Sequence, residues 1–67
     1  MNIYIVMRLA DAWVIPFDDE QEYRNWLIAH LLSVSSLSEE DWRSLHTRIL
    51  ENQVRQHGKF LANKVTI

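Results

Sequence analysis

The chain has 67 residues, 48% of them hydrophobic and 24% charged, with one Gly, one Pro and no Cys. A single core ordinarily needs about 50 residues or more, so this length admits one compact domain, residues 1–67, and the composition excludes a disordered tail or a fibrous repeat. Without cysteine, disulfides, thiolate metal sites and thiol catalysis are excluded together, and seven Lys plus Arg against nine Asp plus Glu leave a net charge of −2 that offers phosphate backbones no general attraction.

At the N-terminus, Met1 to Met7 is uncharged and ends at Arg8, with no basic segment before it. It is too short for a membrane span and lacks the form of a signal peptide, so the expectation is a cytoplasmic protein with no membrane partner. Asn2–Leu9 and Ala12–Phe17 are rich in β-branched and aromatic residues and predict a β-hairpin around Ala10-Asp11. Both phases of the first strand carry apolar residues, Ile3, Ile5 and Met7 on one and Tyr4 and Val6 on the other, which predicts a central or doubly covered strand. Pro16 has no N–H to give a ladder and belongs at a sheet edge.

Asp18 followed by Gln21 resembles a capping pair, and Asp19, Glu20 and Glu22 favour the positive end of a helix dipole. The helix that starts there carries Tyr23, Trp26, Leu27, Ile28, Leu31, Leu32 and Val34, a stripe wide enough for two packing partners, and should end in Ser33–Ser36. Ser38 with Glu39, Glu40 and Asp41 opens a second helix, with Leu37 stapling onto Trp42. Trp42, Leu45 and Ile49, and less regularly Leu50 and Val54, form its expected inner face, while Arg43, Arg48, Glu51, Asn52 and Arg55 lie outside; Gly58 supplies a left-handed cap. Lys59–Ile67 predicts a closing strand with Leu61, Val65 and Ile67 on one phase. The order is β-β-α-α-β: an α+β fold with a three-stranded antiparallel or mixed sheet and two helices packed on one face. A homodimer in which the last strand joins a neighbour's sheet is the competing arrangement.

No residue set for catalysis or a cofactor stands out. His30, His46 and His57 lack a ligand spacing, so no metal site is expected, and the carboxylates crowd two helix starts, where capping accounts for them. One glycine is too few for a phosphate loop or a nucleophile elbow. The chain is therefore expected not to be an enzyme and to need no cofactor.

Three Trp in so small a body cannot all be deep. Trp13, Tyr23 and Trp26 with Arg24 are the candidate anchors for a protein partner, because exposed aromatics beside Arg make binding hot spots. Arg48, Arg55 and Lys59, with Asn52 between, form a small basic patch suited to an acidic protein surface. The function expected by subtraction is a protein-binding module acting as a steric inhibitor or adaptor, of a size that phage and mobile elements use against host machinery or defence systems. The alternative is a small dimeric regulator that binds nucleic acid through the second helix with Arg43, Arg48, Arg55 and Lys59, which the negative net charge makes the weaker of the two.

Overall fold

A computed structural model describes the whole chain, Met1–Ile67. Strands β1 (Asn2–Arg8) and β2 (Trp13–Phe17) form the expected hairpin, followed by helices α1 (Glu20–Val34), α2 (Glu39–Arg43) and α3 (Thr47–Gln56) and strand β3 (Phe60–Thr66). The sheet is antiparallel throughout in the order β2-β1-β3, which puts the doubly apolar first strand in the centre. This is an α+β fold with the helices on one face.

The hairpin turn closes without an Asn-Gly or Asp-Gly pair. Arg8 donates from Nε to Asp11 Oδ1 at 2.8 Å and from its terminal nitrogen to Oδ2 at 2.6 Å, while Asp11 Oδ1 accepts the Trp13 N–H at 3.3 Å. Ala12 completes the turn at φ 58°, in the left-handed region. At the other end of the hairpin Asp19, rather than Asp18, caps α1 by accepting the Gln21 N–H at 3.1 Å. The two neighbouring carboxylates are chemically equal as caps, and only the path out of β2 selects between them.

The second helix is the main departure from expectation: it is two helices, α2 and α3, separated by Ser44–His46. Arg24 of α1 reaches into the break and donates to the carbonyls of Arg43 (3.1 Å) and Leu45 (2.9 Å), acceptors that a continuous helix would use itself. Ser44 Oγ donates back to the Asp41 carbonyl, and His46 Nδ1 caps α3 by accepting the Arg48 N–H at 3.3 Å. The break resets the helical phase. Leu50 and Val54, four residues apart, are fully buried, whereas Ile49, expected inside, is 43% exposed. Leu37, expected to staple onto Trp42, is 44% exposed, whereas Trp42 is buried.

The closing strand β3 forms as expected, and its register fixes which phase faces the helices. Its register with β1 places Arg8 opposite Phe60, Val6 opposite Ala62 and Tyr4 opposite Lys64, so Phe60 and Ala62 point toward the helices and Leu61 and Val65 point away. Gly58 at φ 78° ends α3 and turns the chain so that the Phe60 ring, not Leu61, meets Trp26 and His30.

The core is one cluster: Tyr4, Val6, Tyr23, Leu27, Ile28, Leu31, Trp42, Leu50, Val54 and Ala62. α1 and α3 pack side by side on the inner side of the sheet, so α1 faces both the strands and α3, which accounts for its wide apolar stripe. Tyr23 Oη donates to Glu51 Oε2 at 2.5 Å, tying α1 to α3, and Glu20 accepts from Tyr4 Oη (3.1 Å) and Thr47 Oγ1 (3.0 Å), tying α1 to β1 and to the start of α3. Because the phase of α3 is set by the break, Leu50→Ala should cost about 2–5 kcal/mol and Ile49→Ala less than about 0.5 kcal/mol in urea titrations followed by tryptophan emission. The reverse order would restore a continuous second helix.

Candidate functional site: an aromatic end and a bare sheet face

Two surfaces stand out, one at the end of the sheet and one on its outer side. At the end, the inward-facing row Trp13–Arg8–Phe60 crosses the three strands. The Arg8 guanidinium sits 5.1 Å from the Trp13 ring centroid, a cation–π arrangement held from the other side by Asp11. The Arg8 hydrogen bonds hold the Asp11 carboxyl down at about 2, and Asp11 in turn raises the Arg8 guanidinium above its ordinary value. Trp13 itself is 54% exposed.

The row continues onto α1. Phe60 meets Trp26 edge-on at 4.9 Å and His30 edge-on at 4.8 Å, while Trp26 and His30 stack at 5.5 Å. Between the hairpin turn and the Gly58 turn lies an open pocket of about 500 Å³, lined by Arg8, Leu9, Ala10, Gly58, Lys59 and Phe60. Lys59 is exposed at its mouth. The site therefore combines one aromatic wall, Phe60, a guanidinium held by Asp11 and a lysine at the rim.

Of the anchors expected from sequence, Trp13 lies on this surface, Lys59 at its rim, and Trp26 half-buried behind Phe60. Tyr23 is not a surface anchor: its ring is fully buried against Tyr4 and Phe17, and burial, then the Glu51 carboxylate, push its phenol far above the ordinary range. Arg24 is not free either, since it donates to Thr47 Oγ1 at 2.7 Å besides the two carbonyls at the helix break. The wide stripe of α1 announced two neighbours, but which of its residues would face them is decided by the packing of α3 and the sheet, so both were misplaced. Arg48 and Arg55 are exposed on the outside of α3, with Arg55 donating to Asn52 between them, and Arg43 is diverted to Glu39 and Asn25.

The second surface was not singled out from the sequence. On the outer side of the sheet lie Ile3, Ile5 and Met7 of β1, Val14 and Pro16 of β2, and Leu61, Asn63 and Val65 of β3. No helix covers them: Val14 is 44%, Leu61 40% and Val65 38% exposed. Seven of these eight side chains are apolar and none is charged. The signal was available in strands that are apolar on both phases, with only one set of helices to cover them.

No three His, Asp or Glu side chains gather in a metal-ligating cluster, and no helix is long and apolar enough to cross a membrane. His30 gives the aromatic end a pH response. Burial, and secondarily His57 and Lys59, lower its pKa below the ordinary 6.5, and its buried Nε2 has no protein partner. The folded state therefore resists protonation that the unfolded chain accepts, so stability is complete above about pH 6.5 and falls as the pH drops below it. Urea midpoints between about pH 7 and 5 should fall for the native chain, and that slope should flatten in His30→Phe. Comparison of the chain with protein-family models, curated proteins and solved structures finds no match.

Proposed function

We propose that the protein is a small non-enzymatic protein-binding module of the cytoplasm, acting as a steric inhibitor or adaptor, and that its contact with another protein is made by the aromatic end. The observation that carries this proposal is the exposed Trp13 ring fixed under a guanidinium that is itself fixed by Asp11, next to an open pocket. Large rigid aromatics lose little side-chain entropy on binding, and Trp and Arg are the residues on which binding energy concentrates. Here the ordering has been completed within the hairpin before any partner arrives.

A fitting partner presents an apolar side chain to the pocket between Leu9 and Phe60 and a carboxylate to Lys59. Recognition of that kind needs no chemistry from this chain, and its effect is to occupy or bridge the partner's surface. Because the contact is mainly apolar, it depends weakly on salt, whereas a phosphate-bound regulator would lose affinity steeply as salt rises. A phage or mobile-element setting accords with the small size, which is its one support.

Trp13→Ala leaves the core untouched and should keep the native circular dichroism and melting temperature. It should weaken partner capture from a nuclease-treated native lysate at least about tenfold, the effect of roughly 1.4 kcal/mol or more at a hot spot. Lys59→Glu should weaken capture less. Equal capture by wild type and Trp13→Ala would remove the aromatic end as the contact surface, and capture that appears only when nuclease is omitted and is lost between low and moderate salt would replace the protein partner with nucleic acid.

A further inference from the structure

The bare side of the sheet borders the aromatic end at Leu9 and otherwise runs along the opposite face, and its geometry selects its occupant. Alternation along β1 continues the outer row through Met1 and Leu9, and along β3 through Ile67, all three exposed and apolar. Nine residues at about 3.3 Å and three strands at about 4.8 Å give a sheet face of roughly 30 by 14 Å, or about 400 Å² in projection. Protruding side chains enlarge the accessible area toward the roughly 800 Å² per partner of a standard interface. The whole molecule is only 15 Å across in its shortest dimension, the thickness of one sheet and one helical layer. The outer row is a core surface lacking its third layer.

We propose that a second copy of this chain supplies that layer, the two sheets stacking face to face about a two-fold axis near Ile5 of β1. Three observations choose a second copy. The face carries no charged side chain, so its occupant must be flat, apolar and uncharged over the same area, and the same face of another copy meets all three conditions. An isologous contact about an axis near Ile5 also brings the lone polar residue, Asn63, the cross-strand partner of Ile5, close to its own copy, where paired amides limit slippage.

The sheet edges, in turn, are unsuited to pairing. β1 residues 1 and 9 exchange hydrogen bonds with β3, so alternation directs the bonds of Tyr4, Val6 and Arg8 toward β2 and turns the amide positions of Val14 and Pro16 outward. Pro16 removes a donor from that edge, and Lys64 stands on the other. Stacked sheets separated by about 10 Å then join two α/β layers into a four-layer dimer with the helices outside and both aromatic ends free. This inference does not depend on the proposed function, and failure of either leaves the other standing.

Sedimentation equilibrium of the full chain tests it, with a dimer at twice 8.0 kDa forming at roughly micromolar concentration. Melting temperature should rise with protein concentration, because the associated state alone gains from mass action. Ile5→Lys should sediment as a monomer with native circular dichroism, and Val65→Lys, at a more exposed position, should do the same if Ile5→Lys does not fold. Lys64→Pro and Trp13→Ala should remain dimeric. A wild type that is monomeric up to about 1 mM with concentration-independent melting overturns the proposal. So does a dimer that survives both lysine substitutions, a folded Lys64→Pro that is monomeric, or a monomer that binds a different protein through Ile5.

Discussion

A chain of this length can lay down one layer of helix, and one layer covers one face of a three-stranded sheet. The rest of the architecture follows from that constraint. Tyr4, Val6 and Ala62 on the inner face meet Tyr23, Leu27, Ile28 and Leu31 of α1 and Leu50 and Val54 of α3, and these residues with Trp42 are the entire buried core. α1 has to serve both the sheet and α3, so its apolar stripe is broad and the polar tips of its buried side chains must end on neighbours. The outer face keeps its β-branched and aliphatic residues and has nothing in the monomer to place against them.

The polar contacts belong to the same economy of layers. The Tyr23 hydroxyl ends on Glu51, the Tyr4 hydroxyl on Glu20, and Glu20 also receives Thr47, whose oxygen accepts from Arg24. The hydrogen bonds from Thr47 and then Tyr4 hold the Glu20 carboxyl below its ordinary value, while burial and then Glu20 hold the Tyr4 phenol above its own. Each member satisfies a group whose burial alone would be costly. Arg24 also interrupts the helical run after Arg43, so a side chain of the first helix decides where the next two helices part.

The elements that were legible in the sequence were those whose signals are local. The Ser38 cap, the Gly58 turn, the edge position of Pro16 and the central position of β1 can all be read from a few neighbouring residues. The helix break could not, because the groups that end α2 include a guanidinium nineteen residues away. The phase of β3 was obscured by Leu61, Val65 and Ile67, which look like a core row; only the register with β1 and the Phe60–Trp26 contact turn them outward. At the candidate site Trp13 was legible because it adjoins a turn. Tyr23 and Arg24 were not, since their burial is a property of helix packing.

Ala12 shows how loosely one part of this fold is specified. It is the one non-glycine residue at positive φ, where an L side chain costs about 1–2 kcal/mol, and the Arg8–Asp11 pair holds the turn in shape around it. Its methyl group serves neither the core nor the ladder. Position 12 therefore accepts glycine, asparagine or aspartate at no cost in backbone strain, while a branched residue there would work against the turn that carries Trp13.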